Sequence, residues 1–107
     1  MTDRPAEQGL KCDGALPPGM ACRMATICNQ RGLHARAAAR FVKTAGLFEA
    51  EVWVRKNGIE VSGRSIMGLM MLAAAPGTVV RVTATGRQAE AAVTALAKLI
   101  ECKFDED

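Results

Sequence analysis

The chain contains one histidine, and its neighbours define the chemistry it could perform. His34 stands in Gly32-Leu33-His34-Ala35-Arg36. It follows a loop glycine and opens a stretch with helical spacing. The first amides of a helix have no internal acceptor and carry partial positive charge. An anion is stabilised at such a place. An imidazole there is an exposed nucleophile, and a phosphoryl group on it would face those amides and the Arg36 guanidinium. That group would be held yet remain transferable, which suits a carrier. The plainer reading is a surface histidine that happens to start a helix. Other chemistries lack their residues. No Asp or Glu lies between Cys22 and Phe48, so the segment around His34 offers neither a Ser-His-Asp triad nor a pair of carboxylates. No Gly-rich nucleotide loop ending in Lys-Ser or Lys-Thr is present.

The elements that must position His34 can be read from spacing. Cys22 to Cys28 has strand length, and Asn29 to Gly32 reads as a loop. Ala35 to Ala45 predicts a helix, with Ala38, Phe41, Val42 and Ala45 on one face. Arg36, Arg40 and Lys43 share another face, and Gly46 is placed to cap the end. Glu51 to Lys56 predicts a strand, Asn57-Gly58 a hairpin turn, and Ile59 to Gly63 the returning strand. Ser65 is placed to cap a short helix over 66–72. Leu69 and Leu72 are its expected core residues. Pro76-Gly77 predicts a turn, Thr78 to Thr85 a strand, and Gln88 to Cys102 a last helix. The order is β-α-β-β-α-β-α. It predicts an α+β fold, a small antiparallel sheet with helices packed on one face.

Composition bounds the rest. The 107 residues, 50% hydrophobic and 23% charged, suit one domain. Residues 1–21 read as a flexible tail, rich in Pro and Gly and poor in large apolar groups, and 105–107 as a short acidic tail expected to fray. The net charge of +3 is too mild for a dedicated nucleic-acid binder. Arg31, Arg36 and Arg40 also lack interleaved aromatic residues. No apolar run reaches the ~18 residues of a membrane span, and no signal peptide is expected. A cytoplasmic protein is expected. The cysteines at 12, 22, 28 and 102 have no Cys-x-x-Cys spacing. No metal site and no cofactor are expected, and the thiols are expected to be reduced.

Two longer motifs sharpen this reading. Asn29-Gln30-Arg31-Gly32-Leu33-His34-Ala35-Arg36-Ala37-Ala38-Ala39 resembles the active-site signature of the HPr phosphocarriers of the bacterial phosphoenolpyruvate-dependent phosphotransferase system. Gly63-Arg64-Ser65-Ile66-Met67-Gly68-Leu69-Met70-Met71-Leu72-Ala73-Ala74 resembles that family's second signature, and the His34–Ser65 separation suits it. Pro76-Gly77-Thr78-Val79-Val80 resembles its turn into the last strand. The resemblance covers residues 22–104. It implies a four-stranded antiparallel sheet, order 1-4-2-3, covered on one face by three helices. It also implies a phosphohistidine at His34, formed on Nδ1, with Arg36 steadying the phosphoryl group. Enzyme I would be the donor and a IIA-type protein or domain the acceptor. Ser65 would be a regulatory site for HPr kinase/phosphorylase. Arg40, Lys43, Ile66, Met67 and Met70 are the expected partner-binding residues, on a chain expected to act as a monomer.

Two features depart from the family pattern. Ala37 stands where a proline is usual, which adds one free amide in the first helical turn. The tail before Cys22 is also longer than usual, and Met20 is an alternative start. The competing reading is a binding module without turnover, controlled by phosphorylation of Ser65 in nitrogen or carbon signalling. Retention of both His34 and Arg36 favours the carrier. The sugar-uptake and regulatory branches of the system would use the same residues, so the branch stays open.

Overall fold

The computed structural model describes residues 19–106. Its elements are β1 (Met20–Thr26), α1 (Ala35–Ala45), β2 (Glu51–Lys56), β3 (Ile59–Ser62), α2 (Ile66–Met71), β4 (Val79–Thr85) and α3 (Ala89–Glu101), followed by a tight turn at Lys103–Asp105. The four strands form one antiparallel sheet in the order β1-β4-β2-β3.

Alternation along the strands sorts the two faces of the sheet. Ala21 and Ala25 of β1, Val52 and Val54 of β2, and Val80, Val82 and Ala84 of β4 are buried. They meet Ala37, Ala38, Phe41 and Ala45 of α1, Leu69 of α2, and Ala92, Val93, Leu96, Ala97 and Ile100 of α3 in one core. Cys22, Trp53, Arg55, Arg81 and Thr83 alternate with the buried strand residues and stay half-exposed. Small side chains on α1 and α3 let the helices approach the sheet closely, while Phe41 fills the space between.

Local chemistry fixes the connections. Asn57 and Gly58 have φ of 50° and 84°. Two successive left-handed residues match the right-handed twist of the paired strands. Gly46 ends α1 as expected, but at φ −68°, with its N–H on the Val42 carbonyl, so its freedom to turn left-handed is not used.

Three expectations change. β1 begins at Met20, because Met20 and Ala21 pair with Thr85 and Ala84, and the Gly86 N–H reaches the Gly19 carbonyl. The expected tail over 1–21 therefore loses its last two residues to the sheet, and 1–18 lie outside the described residues. Cys22 is disulfide-bonded rather than reduced, whereas Cys28 and Cys102 are free. Asp105 and Glu106, expected to fray, are built in through hydrogen bonds to Cys102, Lys103, Asn29 and His34, while Asp107 lies outside the described residues. Phe104 is fully buried.

Lys103, Phe104 and Asp105 adopt φ of 59°, 54° and 61°, three left-handed residues in a row without a glycine. Such residues cost about 1–2 kcal/mol each. Burial of one phenylalanine returns at most about 3 kcal/mol. The turn therefore depends on further contacts, which Glu106 supplies. Phe104→Ala is expected to lower the unfolding free energy by about 3–5 kcal/mol in urea titration. A loss below about 1 kcal/mol would mean that the ring is not a core residue.

Candidate functional site

The loop between β1 and α1 is pinned before it delivers His34. Gly32 sits at φ +66°, and a Cβ there would lie 2.5 Å from the Ala74 carbonyl oxygen. Only glycine permits that approach. The Leu33 N–H donates to the same oxygen at 2.9 Å, and the Leu33 side chain is buried. The loop is thus fastened to the segment that leaves α2.

His34 then caps α1. Its backbone is extended, and its Nδ1 accepts the backbone N–H of Arg36 at 3.2 Å. Its carbonyl accepts the Ala38 N–H at 2.8 Å. The amides of Ala35 and Ala37 lie in the same first turn, where no intrahelical acceptor is in reach. The imidazole is 23% exposed, so the ring stands at the helix mouth and in contact with solvent.

The other ring nitrogen, Nε2, is hydrogen-bonded to the carboxylate of Glu106. The second Glu106 oxygen accepts from Asn29 Nδ2 at 3.0 Å. Asn29 is fully buried, and Nδ2 also donates to the Gly32 carbonyl at 2.8 Å. One amide thus ties the chain end to the His34 loop. Burial alone would raise the Glu106 carboxyl. Hydrogen bonds from Asn29 and His34, with the positive charge of Arg31, outweigh it and hold the group below its ordinary value.

Beside the ring lies an open cleft lined by Gln30, Arg31, Arg36, Arg40, Asp105 and Glu106. It gathers three guanidinium groups against two carboxylates. Arg40 and Asp105 approach to 3.9 Å. Such a lining favours a multiply charged anion that can take several donors.

The expected site residues fall into two groups. Arg36 and Arg40 line the cleft, whereas Lys43 is exposed and does not. Ser65 caps α2, with its Oγ accepting the Gly68 N–H at 2.9 Å. On α2, Ile66, Met67 and Met70 are exposed, while Leu69 and Leu72 are buried. α2 packs against α1, so the methionine face and the helix bearing the His34 cap belong to one side of the molecule.

Sequence reasoning missed Asn29, Arg31, Asp105 and Glu106 as site residues, and the exposed Leu47 and Met71 beside the expected apolar ones. One signal was available. An aromatic residue directly after the last helix, here Phe104, favours a docked chain end over a frayed one. Among the described residues no His, Cys, Asp and Glu cluster could hold a metal ion.

Comparison with known proteins agrees with this geometry. The profile of the family described as "PTS HPr component phosphorylation site" matches residues 22–102. The phosphocarrier protein HPr of Neisseria meningitidis is 52% identical over 80 residues, covering 75% of this chain and 90% of that protein. HPr of Pseudomonas aeruginosa is 49% identical over 82 residues, covering 76% and 91%. A crystal structure of HPr from Thermoanaerobacter tengcongensis superposes with a TM-score of 0.77 at 45% identity, covering 81% of this chain and 98% of that one. With a matching profile over most of its length, close relatives and a shared fold, the chain belongs to the HPr family, the phosphocarriers of the phosphotransferase system.

Proposed function

We propose that His34 accepts a phosphoryl group on Nδ1 from enzyme I and hands it to a IIA-type protein or domain in the cytoplasm. The observation that carries this reading is the position of Nδ1, which meets the Arg36 N–H at the mouth of α1. A nitrogen lone pair held there needs only a small displacement of that amide to become a nucleophile. The phosphoryl oxygens it acquires then find the first-turn amides and the Arg31, Arg36 and Arg40 side of the cleft. Arg36 steadies the group, with Arg31 and Arg40 adding charge. The holding is moderate, because the site is open to solvent. The group can therefore leave when an acceptor presents its own nucleophile.

Docking is assigned to the exposed face of α2. Ile66, Met67 and Met70, extended by Met71, offer an adaptable apolar patch. Thioether side chains repack against different partners at small cost. Arg40 and Lys43, on α1, would steer acidic partner surfaces into place. The carrier works as a monomer in this reading, meeting one partner at a time.

Ser65 sits where docking can be controlled. Phosphorylation by HPr kinase/phosphorylase would replace a neutral capping oxygen with about two negative charges. The N-terminus of α2 tolerates that charge. Docking would not, because a dianion beside Ile66 and Met67 repels acidic partners and must be desolvated on contact.

Two experiments test the reading. Incubation with enzyme I and labelled phosphoenolpyruvate should give an acid-labile, base-stable phosphate in the wild type and none in His34→Ala. Label retained by His34→Ala would contradict the assignment. Ser65→Asp should unfold at the same urea concentration as the wild type yet accept phosphate at least about tenfold more slowly, a cost of about 1.4 kcal/mol in docking. Equal transfer rates would reject control through Ser65.

A further inference from the structure

We infer that Glu106 is a positioning residue for the His34 nucleophile, holding the Nε2–H so that the Nδ1 lone pair faces the helix mouth. The inference rests on the carrier reading and adds to it a residue from the other end of the chain.

The two ring nitrogens have opposite duties. Nδ1 accepts the Arg36 N–H and so cannot itself carry a proton. In the neutral ring the proton must be on Nε2, where the Glu106 carboxylate receives it. Glu106 is kept anionic by its donors, and its second oxygen is occupied by buried Asn29, so the carboxylate cannot swing freely. A carboxylate fixed behind an imidazole orients the ring and opposes the positive charge that grows on it.

The segment is also built to deliver this group. Buried Phe104 anchors it, and the N–H groups of Asp105 and Glu106 return to the Cys102 and Lys103 carbonyls. Three consecutive left-handed residues turn the chain back toward Asn29 and His34. Strained backbone of this kind persists where surrounding contacts over-determine it, and it concentrates at functional sites. The Glu106 contacts add to the Phe104 anchor in holding the turn.

The transfer step balances with Glu106 as a spectator of bond making. Nδ1 donates its lone pair to phosphorus and forms the N–P bond. The bond from phosphorus to the donor breaks, and its electron pair stays on the donor. The Nε2 proton does not leave. The ring becomes cationic while joined to the phosphoryl dianion, and the Glu106 carboxylate faces that cation from the side away from phosphorus. On the next transfer the N–P pair returns to Nδ1 and the ring charge disappears.

The test uses the full chain labelled with ¹⁵N-histidine. Wild type should show an Nε2–H resonance protected from exchange, and Glu106→Ala should lose it while the amide spectrum of the folded domain persists. Phosphoryl transfer from enzyme I should slow roughly 10- to 100-fold in Glu106→Ala. Glu106→Gln keeps an acceptor without the charge, so it should retain the protected resonance and recover only part of the rate. Glu106→Ala with a wild-type resonance or a wild-type rate would overturn the inference. Loss of fold in Glu106→Ala leaves the decision to Glu106→Gln, where a wild-type rate overturns it and a slowed rate with the resonance kept supports it. A wild type that takes no phosphate at all would defeat the carrier reading instead, and the resonance would still report on the contact.

Discussion

The site depends on one constraint, an imidazole held at one nitrogen by the first turn of α1 and at the other by a residue that follows the last helix. The first turn of α1 holds Nδ1 through the Arg36 N–H, and the chain end holds Nε2 through Glu106. The sheet order makes this possible. β1 pairs with β4, and α3, which follows β4, packs back across both strands. The end of α3 therefore arrives beside the loop that leaves β1. A sheet in simple sequential order would not bring those two ends of the fold together. Asn29, fully buried and bonded to both Gly32 and Glu106, is the clasp between them.

The same logic links the His34 loop to the exposed apolar face of α2. Gly32 and Leu33 close onto the Ala74 carbonyl, just past α2. α2 carries Ser65 at its start and the exposed methionines along its length. His34 and the apolar patch are thus set by one short stretch of backbone contacts. A partner that seats on α2 finds His34 in a fixed relation to it. Rigidity matters here because transfer between proteins requires the reacting atoms to be aligned at the moment of contact. The core of small alanines and compact valines, closed by Phe41 and Phe104, supplies that rigidity.

Much of this was legible from residues alone. α1 and β2 lie where spacing places them, because their apolar periods are strong and their ends carry loop residues. The Asn57-Gly58 turn and the Ser65 cap follow from local chemistry, which needs no knowledge of the rest of the chain. The start of β1 was not legible, since Met20 and Ala21 are strand residues only because Thr85 and Ala84 lie opposite. Glu106 was hidden for a similar reason. Its partner is 72 residues away, and an acidic end looks solvated until the fold brings a histidine to it. Local pattern reveals elements and caps, whereas contacts made by topology remain silent in it. The long motifs around His34 and Ser65 carried the family, and they too say nothing of the chain end.

Which ring nitrogen of His34 receives the phosphate decides between a ring positioned by Glu106 and one that is not. Phosphorylating ¹⁵N-histidine-labelled protein with enzyme I and phosphoenolpyruvate, then recording the imidazole nitrogens, gives the answer in one spectrum. Phosphorus on Nδ1 of His34, with the proton still on Nε2, is the predicted result. Phosphorus on Nε2, the nitrogen held by Glu106, would contradict it.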